Sequence, residues 1–251
     1  MSGGPPSVRI PDGYRLIRYE TVGSTNDEAK LLAREGAPSG TLIWGAAQSQ
    51  GRGRRGRFWQ SPPGNLYLSI LLRPSCAAAQ AAQLGFVAAL ALSDALAANA
   101  TDLRCKWPND VLVNGLKVAG ILLESETGGG DAIDFVVIGI GVNIATAPAN
   151  TEYPATSLAA EGIADLPPAR LLERLVEAFD DWYARWRDEG FEPIREAWLG
   201  RATGRGEVVR VRLEGTTLHG RFLDLDGDGA LLLESPEGRR RVAAGEVFPA
   251  A

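Results

Sequence analysis

Between two apolar runs, TLIWGAA (41–47) and LYLSILL (66–72), the chain reads GRGRRGRFWQSPPGN. Its first six letters fit G-x-G-x-x-G, the phosphate-cradling turn of a doubly wound dinucleotide-binding fold. That fold needs a helix opening inside the glycines and a carboxylate roughly 20 residues further on. Here Pro62, Pro63 and Gly64 stop any helix of useful length. The carboxylate is missing too, because the chain at that distance reads LLRPSCAA. The dinucleotide fold is excluded. What remains is a glycine-hinged loop carrying four arginines, strung between two strands.

The flanking segments set the fold class. YRLIRYET (14–21) has strand character, and STNDEAKLLAREG (24–36) reads as a helix. Ser24 or Thr25 would cap that helix, Glu28 stands at capping-box spacing, and Gly36 would end it. An alanine-rich helix is expected over 77–98 and a strand over 102–107, stopped by Pro108. A hairpin follows over 111–124, turned at Asn114-Gly115. DFVVIGIGVNI (134–144) is a further strand. In 168–186, Leu171, Leu175, Phe179 and Trp182 recur at helical spacing and read as a core-facing stripe. From about residue 201 the pattern changes to short alternating runs with Gly- and Asp-rich turns, as in a small β barrel. DLDGDG (224–229) reads as a plain turn, since a calcium loop would need a closing glutamate that is missing. The expected class is α+β: a mixed sheet packed with helices over 14–200, then a β domain over 201–251, with 1–13 a flexible N-terminus.

Charge narrows the partners. The net charge is −5, so the whole surface is not a polyanion binder, and a cationic loop on an acidic protein points to a small, local anion. Cys76 and Cys105 lack metal-type spacing and read as reduced thiols of a cytoplasmic protein. MSGGPPSVRIPDG has no apolar stretch that would make a signal peptide. FVAALALSDALAA (86–98) is broken by Ser93 and Asp94 and is too short for a bilayer. No DNA or membrane partner is expected.

Of 26 basic residues only Lys30, Lys106 and Lys117 are lysine. Two of these sit in CKWPNDV and LKVAGIL. A compact ammonium and a planar guanidinium do different work at a buried anion. Lys106 stands at a strand end, and Asn109 and Asp110 supply polar groups at the turn. Ala119 and Gly120 remove bulk, so that a flat ligand can lie against the strand. GSTN (23–26) joins a helix start to three polar side chains.

In this order and spacing, GSTN, GRGRRGR, NLYLS, KWPNDV, KVAGILLE and IGIGVN resemble the biotin–protein ligases, and GALLLES with GEVF is similar to that family's SH3-like C-terminal domain. Only 13 residues precede the first strand, which leaves no room for the winged helix-turn-helix of some members. The resemblance implies a monofunctional enzyme that makes biotinyl-5′-AMP from biotin and ATP, with Mg²⁺ on the ATP phosphates. It then transfers biotin to a lysine of a biotin carboxyl carrier domain. No protein-bound metal is implied, and the chain is expected as a monomer or weak homodimer. Lys106, Arg52 and Arg54 would be catalytic, offsetting the repulsion between carboxylate and phosphate. Ser24, Thr25, Asn26 and Gln48 suit biotin's ureido ring, and Trp59 its apolar part. Gly51, Arg52, Gly53, Arg54, Lys106 and Gly120 would complete the biotin site. On the nucleotide side would stand Arg52, Arg54, Arg55, Arg57, Trp59, Asn109, Lys117 and Asn143. His219 is assigned a structural role.

Overall fold

The computed structural model describes residues 8–100, 102–129 and 132–250. Seven strands, β1 (Arg15–Tyr19), β2 (Thr41–Gly45), β3 (Leu66–Leu72), β4 (Leu103–Lys106), β5 (Asp110–Val113), β6 (Leu116–Thr127) and β7 (Ile133–Val142), form one sheet. Their order is β1-β2-β3-β7-β6-β5-β4. Only β1 and β2 are parallel, so the sheet is mixed. The Asn114-Gly115 turn takes positive φ at both residues (51° and 76°), as a primed two-residue turn requires.

Strand alternation divides the labour between the two faces. One face of β3 and β7, with Leu66, Leu68, Ile70, Ile138 and Ile140, packs under α3 (Leu84–Leu96), α4 (Pro168–Glu189) and α5 (Glu192–Leu199). On the other face, α1 (Thr25–Arg34) packs Ala29 and Ala33 against Ile43, Leu71, Phe135 and Val137. Beyond α1 that face carries Tyr67, Ser69, Gly139, Gly141 and Gly120, which pair across the strands as Ser69↔Gly139, Tyr67↔Gly141 and Gly120↔Gly141. A sheet face left without a helix and stripped of side chains is a cavity floor.

Three local expectations change. The alanine-rich helix is interrupted at Gln83 into α2 (Ala78–Ala82) and α3, and the Gln83 side chain there donates to Gly227 O (3.1 Å) and accepts from Trp186 Nε1 (2.8 Å). The membrane-length apolar stretch 78–96 is largely buried in the core. The capping box does not form. Ser24 is the N-cap residue, but its hydroxyl makes no capping bond, and Glu28 is diverted to accept from Tyr19 Oη (2.6 Å). Of the N-terminal stretch 1–13 expected to be flexible, 1–7 lies outside the described residues. Val8 and Ile10, by contrast, pack against the core, and the Arg9 N–H donates to Glu173 (2.9 Å).

Five antiparallel strands make the second sheet: β8 (Val208–Arg212), β9 (Thr217–Leu225), β10 (Leu231–Ser235), β11 (Gly238–Val242) and β12 (Glu246–Pro249). Its inner residues Val211, Phe222 and Leu231 join the same buried core as the first sheet. The 224–229 turn is closed by Asp226, which accepts from the Asp228 and Ala230 N–H groups (both 2.9 Å). Arg241 pairs with the carboxylates of both Asp226 and Asp228. Gly229 has φ 84°, and a Cβ there would collide with the Phe86 ring; its carbonyl accepts from Trp107 Nε1 (3.0 Å). The second sheet is thereby docked onto the KWPND turn.

Candidate active site

The bare sheet face opens into a cavity of about 500 Å³, roofed by the arginine loop and closed at one end by the second sheet. This is an ordinary size for a small-molecule site. The loop itself folds as a single 3-10 turn (Arg54–Gly56), not the helix of a dinucleotide site. Its distal end returns over the sheet. A Cβ on Gly120 would stand 3.1 Å from the Trp59 ring, and one on Gly141 would stand 2.6 Å from Trp59 Nε1. The space that Gly120 leaves is thus taken by an indole of the chain.

At one end the floor is polar. Ser24, Thr25 and Asn26 are each 4% exposed at the start of α1. Gln48 Oε1 accepts from the Thr25 N–H (2.8 Å) and lies 3.1 Å from the Thr25 hydroxyl oxygen, while its Nε2 donates to Ser61 Oγ (2.9 Å). Gly51 lies against this group so closely that a Cβ would collide with Trp59 O and Ser61 Oγ. Asn26 donates to Glu124 (2.8 Å), which also receives Lys30 (2.8 Å) and Arg52 (3.1 Å). Arg52 further pairs with Asp27 (2.5 Å).

The other end is cationic. KWPND is a tight connection in which Lys106 and Asp110 face each other across β4 and β5. Lys106 Nζ lies 2.8 Å from Asp110 Oδ2, and Lys117 Nζ 2.5 Å from Asp110 Oδ1. Lys106 also approaches Val247 O (3.4 Å) and sits 4.5 Å from the Tyr153 ring. Burial lowers the Lys106 pKa, with Lys117 and Arg54 adding to the effect and Asp110 opposing it. Burial works against ionising Asp110, yet Lys117 and Lys106 outweigh it and hold its pKa below the ordinary value. Arg54 joins these groups. Its Nη1 donates to Gly245 O (3.1 Å) and Asn109 Oδ1 (3.4 Å), and burial lowers its pKa. Arg57 pairs with Glu246 of β12. Cations outnumber carboxylates around this end, so it favours a polyanion.

Nearly all the residues singled out in the sequence converge here. Ser24, Thr25, Asn26, Gln48, Arg52, Gly53, Arg54, Arg57, Trp59, Lys106, Asn109, Lys117, Gly120 and Asn143 line the one cavity. Asn143 also braces the wall, donating to Thr156 O (3.1 Å). Arg55 does not line it: at φ 56° it forms the outer tip of the turn. His219 is exposed on β9. Sequence reasoning gave no site role to Asp110, Glu124, Tyr153, Glu246 or Phe248. Asp110 was within reach, since it adjoins Lys106 in KWPND. The others are joined to the site only by the fold.

Residues 19–143 match the Biotin/lipoate A/B protein ligase family, and 206–248 match the Biotin protein ligase C terminal domain. The chain is 46% identical over 233 residues to the biotin–[acetyl-CoA-carboxylase] ligase of Paracoccus denitrificans, covering 90% of this chain and 96% of that protein. It is 35% identical to the bifunctional ligase/repressor BirA of Bacillus subtilis, over 94% of this chain and 74% of that protein. Among solved structures, biotin protein ligase from Aquifex aeolicus in complex with biotin and ATP superposes with a TM-score of 0.80. The two are 28% identical, covering 93% of this chain and 97% of that one.

Proposed function

The chain belongs to the biotin–protein ligase family, and on that premise we propose how its own side chains carry out biotin ligation. In the first step a carboxylate oxygen of biotin attacks the α-phosphorus of ATP. The bond to the β-phosphate oxygen breaks, and pyrophosphate leaves. Two anions must meet in a water-poor cavity, so the step depends on cations placed beforehand. The observation that carries this reading is the buried Lys106 at the cationic end, paired with an Asp110 that it shares with Lys117. Lys106 joins the carboxylate and a phosphate oxygen as they approach, and Arg54 and Arg57 take further phosphate oxygens from the loop.

Ser24, Thr25, Asn26 and Gln48 receive the ureido ring, and Trp59 covers the apolar part of biotin. Asn109 and Lys117 face the nucleotide. Mg²⁺ arrives with ATP and is held mainly through its phosphates. In the second step the neutral amine of an acceptor lysine attacks the acyl carbon of biotinyl-5′-AMP and expels AMP. The acceptor is the biotin carboxyl carrier domain of a carboxylase. The enzyme works as a monomer or weak homodimer in the cytoplasm, a setting supported by its ATP chemistry and by two free cysteines.

Exchange of labelled pyrophosphate into ATP tests the reading. Exchange should require biotin, and lipoate or octanoate should not replace it. Equal exchange with lipoate would overturn the assignment of the polar floor.

A further inference from the structure

Ser69 on β3 is fully buried (0% exposed) beneath the polar floor and does not line the cavity. Its hydroxyl lies 2.6 Å from Asn26 Oδ1 and 2.8 Å from Thr25 Oγ1. The direction of each bond follows from counting protons. Asn26 Nδ2 donates to Glu124 Oε2 (2.8 Å) and Leu122 O (3.3 Å), which fixes which end of the amide is oxygen. An amide oxygen only accepts. Ser69 has one proton and gives it to Asn26, leaving its lone pairs for the Thr25 hydroxyl. Thr25 therefore has two acceptors, Ser69 Oγ and Gln48 Oε1. The second is already served by the Thr25 N–H (2.8 Å).

We propose that Ser69 is a positioning residue that sets the hydrogen-bond polarity of the biotin floor. With Ser69 present, the Thr25 proton points down into the sheet. Thr25 Oγ1 and a lone pair of Gln48 Oε1 then face the cavity as acceptors, the pattern that two ureido N–H groups need. Without Ser69, the Thr25 proton turns to Gln48 and takes up that acceptor, while Asn26 Oδ1 loses the one donor it has among the described residues. The small Gly139 opposite Ser69 belongs to the same arrangement, since a Cβ there would collide with Asn26 Oδ1. Nothing on β3 needs to touch the ligand for this selectivity to operate.

The inference rests on the assignment of Ser24, Thr25, Asn26 and Gln48 to the ureido ring, and its test separates the two. Biotin-dependent pyrophosphate exchange is measured for Ser69→Ala and for the equal-shaped pair Ser69→Thr and Ser69→Val, with Asn26→Ala alongside. Loss of one buried, satisfied hydrogen bond should raise KM for biotin about 10- to 100-fold in Ser69→Ala and Ser69→Val. KM for ATP should stay within about threefold, and Ser69→Thr, which restores the hydroxyl, should stay near wild type. The proposal is overturned if Ser69→Ala keeps the wild-type KM for biotin, if Thr and Val behave alike, or if the loss falls equally on ATP. If Asn26→Ala also leaves KM for biotin unchanged, the floor assignment itself is wrong. If Asn26→Ala raises it and Ser69→Ala does not, only the role of Ser69 fails.

Discussion

Asp110→Asn is the sharpest perturbation of the cationic end, because it removes a charge with almost no change of shape. Asp110 is 6% exposed and Lys106 5%, and a single carboxylate serves both Lys106 and Lys117. Removing one partner of a buried pair costs about 3–5 kcal/mol, chiefly because the other charge is left uncompensated. The pairwise attraction alone is about 4 kcal/mol at 4 Å and an effective dielectric near 20, which agrees in size. The free variant should therefore be less stable by about 3–5 kcal/mol in urea unfolding at neutral pH. ATP changes the comparison, because its phosphates bring anions to the same lysines. With saturating ATP the gap between variant and wild type should shrink by half or more, and ATP should raise the variant's Tm further than it raises that of wild type. The pH dependence has a definite sign. Asp110 is held below its ordinary value of 3.8, so its contribution is complete above that pH and is lost as pH falls through the lowered pKa. Below it, the protonated acid and asparagine are equally uncharged and the gap closes. An undiminished gap in ATP would refute the idea that Asp110 stands in for phosphate. An unchanged stability without ATP would refute the net worth of the pair.

Lys106→Ala and Lys106→Arg should each lose on the order of 10²-fold or more in pyrophosphate exchange, because neither a methyl group nor a planar fork replaces a compact ammonium. Retention of most activity by the arginine variant would reduce Lys106 to a generic counter-ion. Arg54→Gly removes the contacts to Gly245 O and Asn109 and one charge-assisted bond of about 1.5–3 kcal/mol. Biotinyl-5′-AMP should escape roughly 10- to 100-fold faster and label bystander lysines, which blotting of mixed proteins would read. A variant that makes no adenylate would move Arg54 into the chemical step.

Much of this was legible because it is local. The apolar run 66–72 is β3 to the residue, and Asn114-Gly115 adopts the turn its chemistry favours. The scarcity of lysine singled out Lys106 and Lys117, and the fold brings both onto one carboxylate. Helix α5 was not read from the sequence, although Ile194, Trp198 and Leu199 follow the same spacing rule as the stripe on α4. The misses have a common cause. Glu124 meets Asn26 from 98 positions away, and the loop meets Gly245 O across 191 positions. A backbone carbonyl has no letter in the sequence. Capping-box spacing misled for a related reason: tertiary partners, Tyr19 for Glu28 and Gln48 for Thr25, outcompeted the local bonds.

Which anion the loop can serve depends on what its arginines hold meanwhile. Arg52 is on Asp27 and Glu124, Arg57 is on Glu246, and Arg54 is on a carbonyl of the second sheet. None of these three waits as a bare charge. Four arginines within six residues would otherwise repel one another, and burial already lowers the pKa of Arg54. Resident partners offset that repulsion, and incoming carboxylate and phosphate then compete with acids of the same sign, not with bulk water alone. Two of the holding points are Glu246, the first residue of β12, and Gly245 just before it, and the neighbouring Val247 O faces Lys106. The second sheet thus supplies part of the roof and part of the electrostatics. A chain without it would keep the floor of Thr25, Asn26 and Gln48, and would lose the partners that keep the arginines over that floor.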